Sequence, residues 1–138
     1  MYKIDLLNHT ADIRLKVVAD SEEELFEGSM TGMSSILKED LCLKNKDLTL
    51  EVYIELGSMN KTILLIDFLS EVLTESYINH AIFCKLSIYE LTDSFLKAKV
   101  FGLPIDRFDE EIKAVTYHEA EIQVNDSGHW QTNLIFDI

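Results

Sequence analysis

Leu48-Thr49-Leu50-Glu51-Val52-Tyr53-Ile54-Glu55-Leu56-Gly57 alternates strictly between apolar and polar positions. Leu48, Leu50, Val52, Ile54 and Leu56 fall on one side, and Thr49, Glu51, Tyr53 and Glu55 fall on the other. That pattern is a strand with one buried and one wet face, and Gly57-Ser58 ends it. On either side of it the period becomes helical. Upstream, Ser21 and Glu24 form a capping box, and Glu22 and Glu23 suit the positive end of a helix dipole. Leu25, Phe26, Met30, Met33, Ile36 and Leu37 then share one helical face. The two methionines are read as core filler. Downstream, Leu65, Phe68, Leu69, Val72, Leu73 and Ser76 line the inner face of a second helix, and Asp67, Glu71 and Glu75 form an acidic outer ridge. Residues so spaced climb along a helix and do not converge on an ion, so the ridge is read as a solvated face.

Further outward the chain reads as strands. Tyr2–Leu7 and Ile13–Val17 precede the first helix, separated by the polar break Asn8-His9-Thr10-Ala11-Asp12. Segments 81–90 and 95–101 follow the second helix, then a turn-rich loop at 102–106, a long strand from about Glu111 to Val124, a turn at Asn125-Asp126-Ser127-Gly128, and a last strand at 130–136. The expected class is α+β: a mixed, largely antiparallel sheet with two helices packed on it. The chain of 138 residues is read as a single domain, 1–138.

Composition narrows the function. Twelve Lys and Arg against 25 Asp and Glu give a formal net charge of −13. Such a surface repels phosphate backbones and anionic lipid, so no direct tight nucleic-acid binding and no membrane partner are expected. The sequence has no apolar run long enough to span a bilayer and no secretion signal. Cys42 and Cys84 are read as free thiols in a reducing cytoplasm, not as a disulfide. The five glycines form no phosphate-binding cluster, and no serine sits in a nucleophile-elbow context. The four histidines, His9, His80, His118 and His129, show no zinc-site spacing.

Three stretches remain. Taken alone, Asn8–Asp12 is a turn held by side-chain hydrogen bonds. A lone lysine such as Lys113, within Glu111-Ile112-Lys113-Ala114-Val115-Thr116-Tyr117-His118, is usually a solvated edge residue. Ile135-Phe136-Asp137-Ile138 runs apolar to the chain end, so the terminus is expected to be tied down. In this order, and with this length, acidity and element sequence, the three stretches together resemble the archease family over the whole chain. Two departures stand out. The family usually has Asp where this chain has Asn8, and its Gly-Trp hairpin here reads Gly128-His129-Trp130, with His129 as an insertion.

The resemblance implies a protein cofactor, not a stand-alone enzyme. Archeases assist an RtcB-type RNA ligase: they promote its guanylylation and multiple turnover, in tRNA splicing or RNA repair. The family's functional residues fall here on Asp12, Lys113 and Asp137, with a divalent-metal site on Asp12, Asp137 and the terminal Ile138. His9, Thr116 and His118 are accessory candidates. The all-oxygen donor set favours Ca²⁺, with Mg²⁺ or Mn²⁺ as alternatives, over Zn²⁺. A site needing both Asp12 and Asp137 requires the last strand to lie beside the strand that starts at Ile13. The acidity fits docking onto a basic ligase. The rival readings are an independent metal-dependent phosphohydrolase using the same carboxylates, and a chaperone-like adaptor.

Overall fold

The computed structural model describes residues 1–7, 12–44 and 47–138. Residues 8–11 of the polar break, with Asn8 and His9, therefore lie outside the described residues. The strands are β1 (Tyr2–Leu7), β2 (Asp12–Ala19), β3 (Leu50–Gly57), β4 (Ala81–Leu91), β5 (Phe95–Pro104), β6 (Ala114–Thr116), β7 (Gln123–Val124) and β8 (Trp130–Asp137). The helices are α1 (Glu22–Leu37), the single turn α2 (Leu41–Lys44) and α3 (Lys61–Asn79). The class is α+β. The strands divide into two antiparallel sheets: one in the order β1-β2-β8-β6 with β7 also on β8, and one in the order β3-β5-β4.

Both long helices begin as their sequences dictate. Ser21 Oγ accepts from the Glu24 N–H at 3.2 Å, and Asn60 Oδ1 accepts from the Ile63 N–H at 3.0 Å. α1 packs on β1 and β2 on one side and on β4 on the other; α3 touches β3, β4, β5 and β6. The helices thus lie between the two sheets, and Phe26 meets Phe68 where they cross, ring centroids 5.7 Å apart. This position explains why Leu64, Leu65 and Ile66 are all buried in α3, a run that a helix with one outer face would not bury. A Cβ at Gly32 would lie 2.4 Å from the Leu15 side chain, so glycine there lets β2 approach α1.

Two sequence-based expectations are overturned. The first is the long strand from Glu111 to Val124. Thr116 pairs with Ile135 and Gln123 with Gln131, so seven steps on one side face four on the other. The surplus leaves the sheet as an excursion through Tyr117, His118, Glu119 and Ala120. Glu119 turns it, with φ 61°, and the Ala120 N–H closes on the Tyr117 carbonyl at 3.3 Å.

The second is the pair of free thiols. Cys42 and Cys84 form a disulfide, with Cα atoms 5.4 Å apart. Two backbone irregularities bring them together. Asp40, at φ 61°, redirects the chain after α1 into α2. On β4, Phe83 pairs with Gly102 and Lys85 with Phe101, so Cys84 is the extra residue of a bulge, re-aimed toward α2. A separation of 42 residues carries no such signal.

Candidate functional site

The site forms at one end of the five-stranded sheet, where β2, β8 and β6 lie side by side. Two rows cross it: Asp12–Asp137–Ala114, then Arg14–Ile135–Thr116. Alternation puts both rows on the face away from the helices. The residues between them point inward: Phe136 is fully buried and Val115 nearly so. The last strand does lie beside the strand leading from Asp12 to Ile13. Residues directly opposite in an antiparallel pair have Cα atoms about 4.5–5.5 Å apart, so Asp12 and Asp137 are immediate neighbours.

The remaining sequence-selected residues fall around this pair. The Lys113 N–H donates to the Asp137 carbonyl at 2.7 Å, which locks the start of β6 onto the end of β8. Among the described residues the Lys113 side chain is exposed and makes no ion pair. Its approach is fixed from behind. Tyr77 of α3 donates through its hydroxyl to the Ile112 carbonyl at 2.6 Å and accepts from the Ile112 N–H at 2.8 Å. Burial pushes the Tyr77 phenol above its ordinary pKa, partly offset by the Ile112 N–H that donates to its oxygen. Ile138 packs, half-buried, against the core, so the C-terminus is tied down as expected. Thr116 stands in the second row, while His118 is exposed on the excursion.

Sequence reasoning missed a second set of residues. Arg14 sits two positions from Asp12 on the same face. Its Nε lies 3.7 Å from Asp12 Oδ1, and its Nη1 donates to Glu119 Oε2 at 2.8 Å. The excursion that carries Glu119 is pinned to α3 at both ends. The Tyr117 hydroxyl donates to Asp67 Oδ1 at 2.5 Å, and the Ile122 N–H donates to Thr62 Oγ1 at 3.1 Å. Asp67 also accepts from Ser58 Oγ at 2.6 Å. The parity of Asp12 and Arg14 in one strand was the available signal. The Glu119 contact had none, because it depends on the excursion.

Beside the excursion lies an open groove of about 680 Å³ at the start of α3. Lys61 in it is already matched by Glu22 and by Asp93, the latter at 3.1 Å. The groove therefore offers no spare positive charge. Among the described residues no three His, Cys, Asp or Glu side chains cluster so as to hold a metal ion. The tip offers two hard-oxygen carboxylates, Asp12 and Asp137, with a chain terminus next to them. No described helix is long and apolar enough to cross a membrane.

These features define a small α+β domain whose second and last strands meet in an acidic tip. The model of the Archease protein family (MTH1598/TM1083) matches residues 5–138, and the chain belongs to that family. It is 32% identical to an archease of Pyrococcus abyssi, over 94% of each chain. It is 29% identical to one of Methanosarcina mazei, over 99% of this chain and 96% of the relative. The solution structure of Methanobacterium thermoautotrophicum protein 1598 superposes with a TM-score of 0.78 at 26% identity, covering 98% of both chains. The fold is also that of a crystal structure from Thermotoga maritima described as an archease and possible chaperone, with a TM-score of 0.63 at 22% identity, over 96% of this chain and 94% of that one.

Proposed function

We propose that this protein is an accessory factor that activates an RtcB-type RNA ligase in the cytoplasm, promoting ligase guanylylation and multiple turnover in tRNA splicing or RNA repair. The observation that carries the reading is the cross-strand pair Asp12–Asp137, with Lys113 bonded through its backbone to Asp137, in a chain of the archease family. Asp12 and Asp137 would hold a divalent cation, Ca²⁺ by preference and Mg²⁺ or Mn²⁺ otherwise, with the Ile138 carboxylate as a further oxygen donor. A bound cation would supply concentrated positive charge at an acidic tip. The donor chemistry supports this, since two neighbouring carboxylates repel each other and a cation relieves the repulsion. Lys113, exposed beside them, would meet an anionic group of the ligase or its nucleotide. A net charge of −13 suits a basic, RNA-binding partner.

The test is transfer of labelled GMP from GTP onto the cognate ligase, with and without this protein. Acceleration by the wild type, lost in Asp12→Ala, Lys113→Ala and Asp137→Ala, is the expected result. Full acceleration by the Asp12→Ala, Asp137→Ala double variant would refute the proposed site. The chaperone reading predicts more soluble ligase at an unchanged guanylylation rate. The phosphohydrolase reading predicts turnover of nucleotide or RNA by this protein alone.

A further inference from the structure

We infer that Arg14 and Glu119 are positioning residues of the acidic tip: Glu119 holds the Arg14 guanidinium beside Asp12, where its charge competes with a divalent cation and sets the concentration at which the tip fills. This rests on the reading that Asp12 and Asp137 bind such a cation.

Arginine carries its donors in a rigid planar fork, so one edge can be engaged while another faces a second group. Here Nη1 is spent on Glu119 at 2.8 Å, and Nε lies 3.7 Å from Asp12 Oδ1. The second distance is too long for a hydrogen bond but short for a Coulomb interaction. The side chain is 29% exposed and that of Asp12 17%, so water screens the pair only in part. Arg14 is thus a resident counter-charge, close enough to steady the carboxylates yet not bonded to the Asp12 oxygen it faces.

Glu119 decides that distance. Its backbone is in the left-handed region, at φ 61°, which costs a non-glycine residue about 1 kcal/mol or more. Such strain persists only when surrounding contacts over-determine it. Here they do: Tyr117 is tied to Asp67, Ile122 to Thr62, and Ala120 is buried. The position of Glu119 is therefore set by α3 and not by Arg14. Its carboxylate draws the guanidinium away from Asp12. Without it, the guanidinium can close on the acidic pair and compete more strongly with a cation.

Calorimetric titration with Ca²⁺ at low ionic strength tests this. Arg14→Gln should tighten Ca²⁺ about ten-fold, by the charge removed at close range. Lys16→Gln removes the same charge from the same face one pair further along β2, and should change affinity by less than about three-fold. Arg14→Lys keeps the charge without the fork and should fall between wild type and Arg14→Gln. Glu119→Gln should weaken Ca²⁺ about three-fold in the wild type and leave Arg14→Gln unchanged, because Glu119 acts through Arg14. Equal effects of Arg14→Gln and Lys16→Gln, or equal weakening by Glu119→Gln in both backgrounds, would overturn the inference. The acidic site would still stand if Asp12→Asn with Asp137→Asn abolished binding. Wild type that binds no Ca²⁺, or binds it undiminished in that double variant, would overturn the site and the inference together.

Discussion

Asp12 and Asp137 are direct cross-strand partners, so residues near the two ends of the chain meet at one sheet position. Like charges placed directly opposite destabilise a strand pair. The pairing holds because the same register puts Leu15 opposite Leu134 and Ile13 opposite Phe136, and Leu15, Leu134 and Phe136 are buried. A slip of one residue would separate the carboxylates but turn that apolar set outward. Core packing, and not attraction between the two carboxylates, thus sets their register.

Neutralising one member should therefore leave the fold intact. Asp137 is exposed, and a surface substitution commonly shifts stability by less than about 0.5 kcal/mol. Asp137→Asn is expected to keep or slightly raise the melting temperature while ligase stimulation falls by at least about ten-fold. Thermal melting alongside the GMP-transfer assay checks this. A variant that lost stimulation only because it unfolded would show a melting temperature several degrees lower.

Much of the fold was legible in residue pattern, and the exceptions share a cause. The strict alternation of 48–56 marks β3, and the Ser21 cap marks where α1 begins. Asp12, Lys113 and Asp137 came from motif resemblance, and their adjacency is a matter of strand order, which no local pattern encodes. Period counting failed at Glu111–Val124 because the alternation continues through residues that leave the sheet, and nothing local tells an exposed excursion from an exposed strand face. It failed for Cys42 and Cys84 because a bulge and a left-handed Asp40 decide whether two distant thiols meet. Arg14 alternates correctly in β2, yet its role depends on Glu119, a contact made across the excursion.

The disulfide should account for a sizeable share of stability. Closing a loop of this length restricts the unfolded chain by roughly 3–4 kcal/mol on the chain-entropy model. Reduction, or Cys42→Ser with Cys84→Ser, is expected to lower the denaturant midpoint without abolishing folding, because the largest fully buried side chains lie on α1, α3 and the strands and not on α2. Urea unfolding with and without a phosphine reductant measures it. An unchanged midpoint would mean that the bond contributes nothing to stability.

Tyr117 should show its role through pH. Its hydrogen bond to Asp67, with burial as a lesser cause, raises the phenol above its ordinary pKa. A raised folded-state value means that the folded protein holds this proton more tightly than the unfolded chain does. The resulting stability is fully present below the ordinary phenol value of about 10 and is lost as pH rises through the higher folded-state value. Tyr117 is 57% exposed, so the effect is small after solvent screening. The wild-type advantage over Tyr117→Phe in urea unfolding should be flat from pH 7 to 9 and shrink above pH 10. A constant difference across that range would show that the hydroxyl is not coupled to Asp67.

The chain terminus offers the sharpest separation of charge from packing. Ile138 is half-buried against the core directly after Asp137. A C-terminal extension converts its carboxylate to an amide, which removes one negative charge from the tip but keeps the side chain in place. The extended protein should melt within a few degrees of the native one yet bind Ca²⁺ several-fold more weakly, because a neutral carbonyl is a poorer partner for a hard cation than a carboxylate. An N-terminal extension changes a different place: the Met1 ammonium pairs with Asp20 and Glu24, at the far end of β2 from Asp12. It should leave Ca²⁺ affinity unchanged. Equal weakening by both extensions would point to a general loss of folded protein. Weakening by the C-terminal one alone, with thermal stability retained, would assign the terminal carboxylate to the acidic tip.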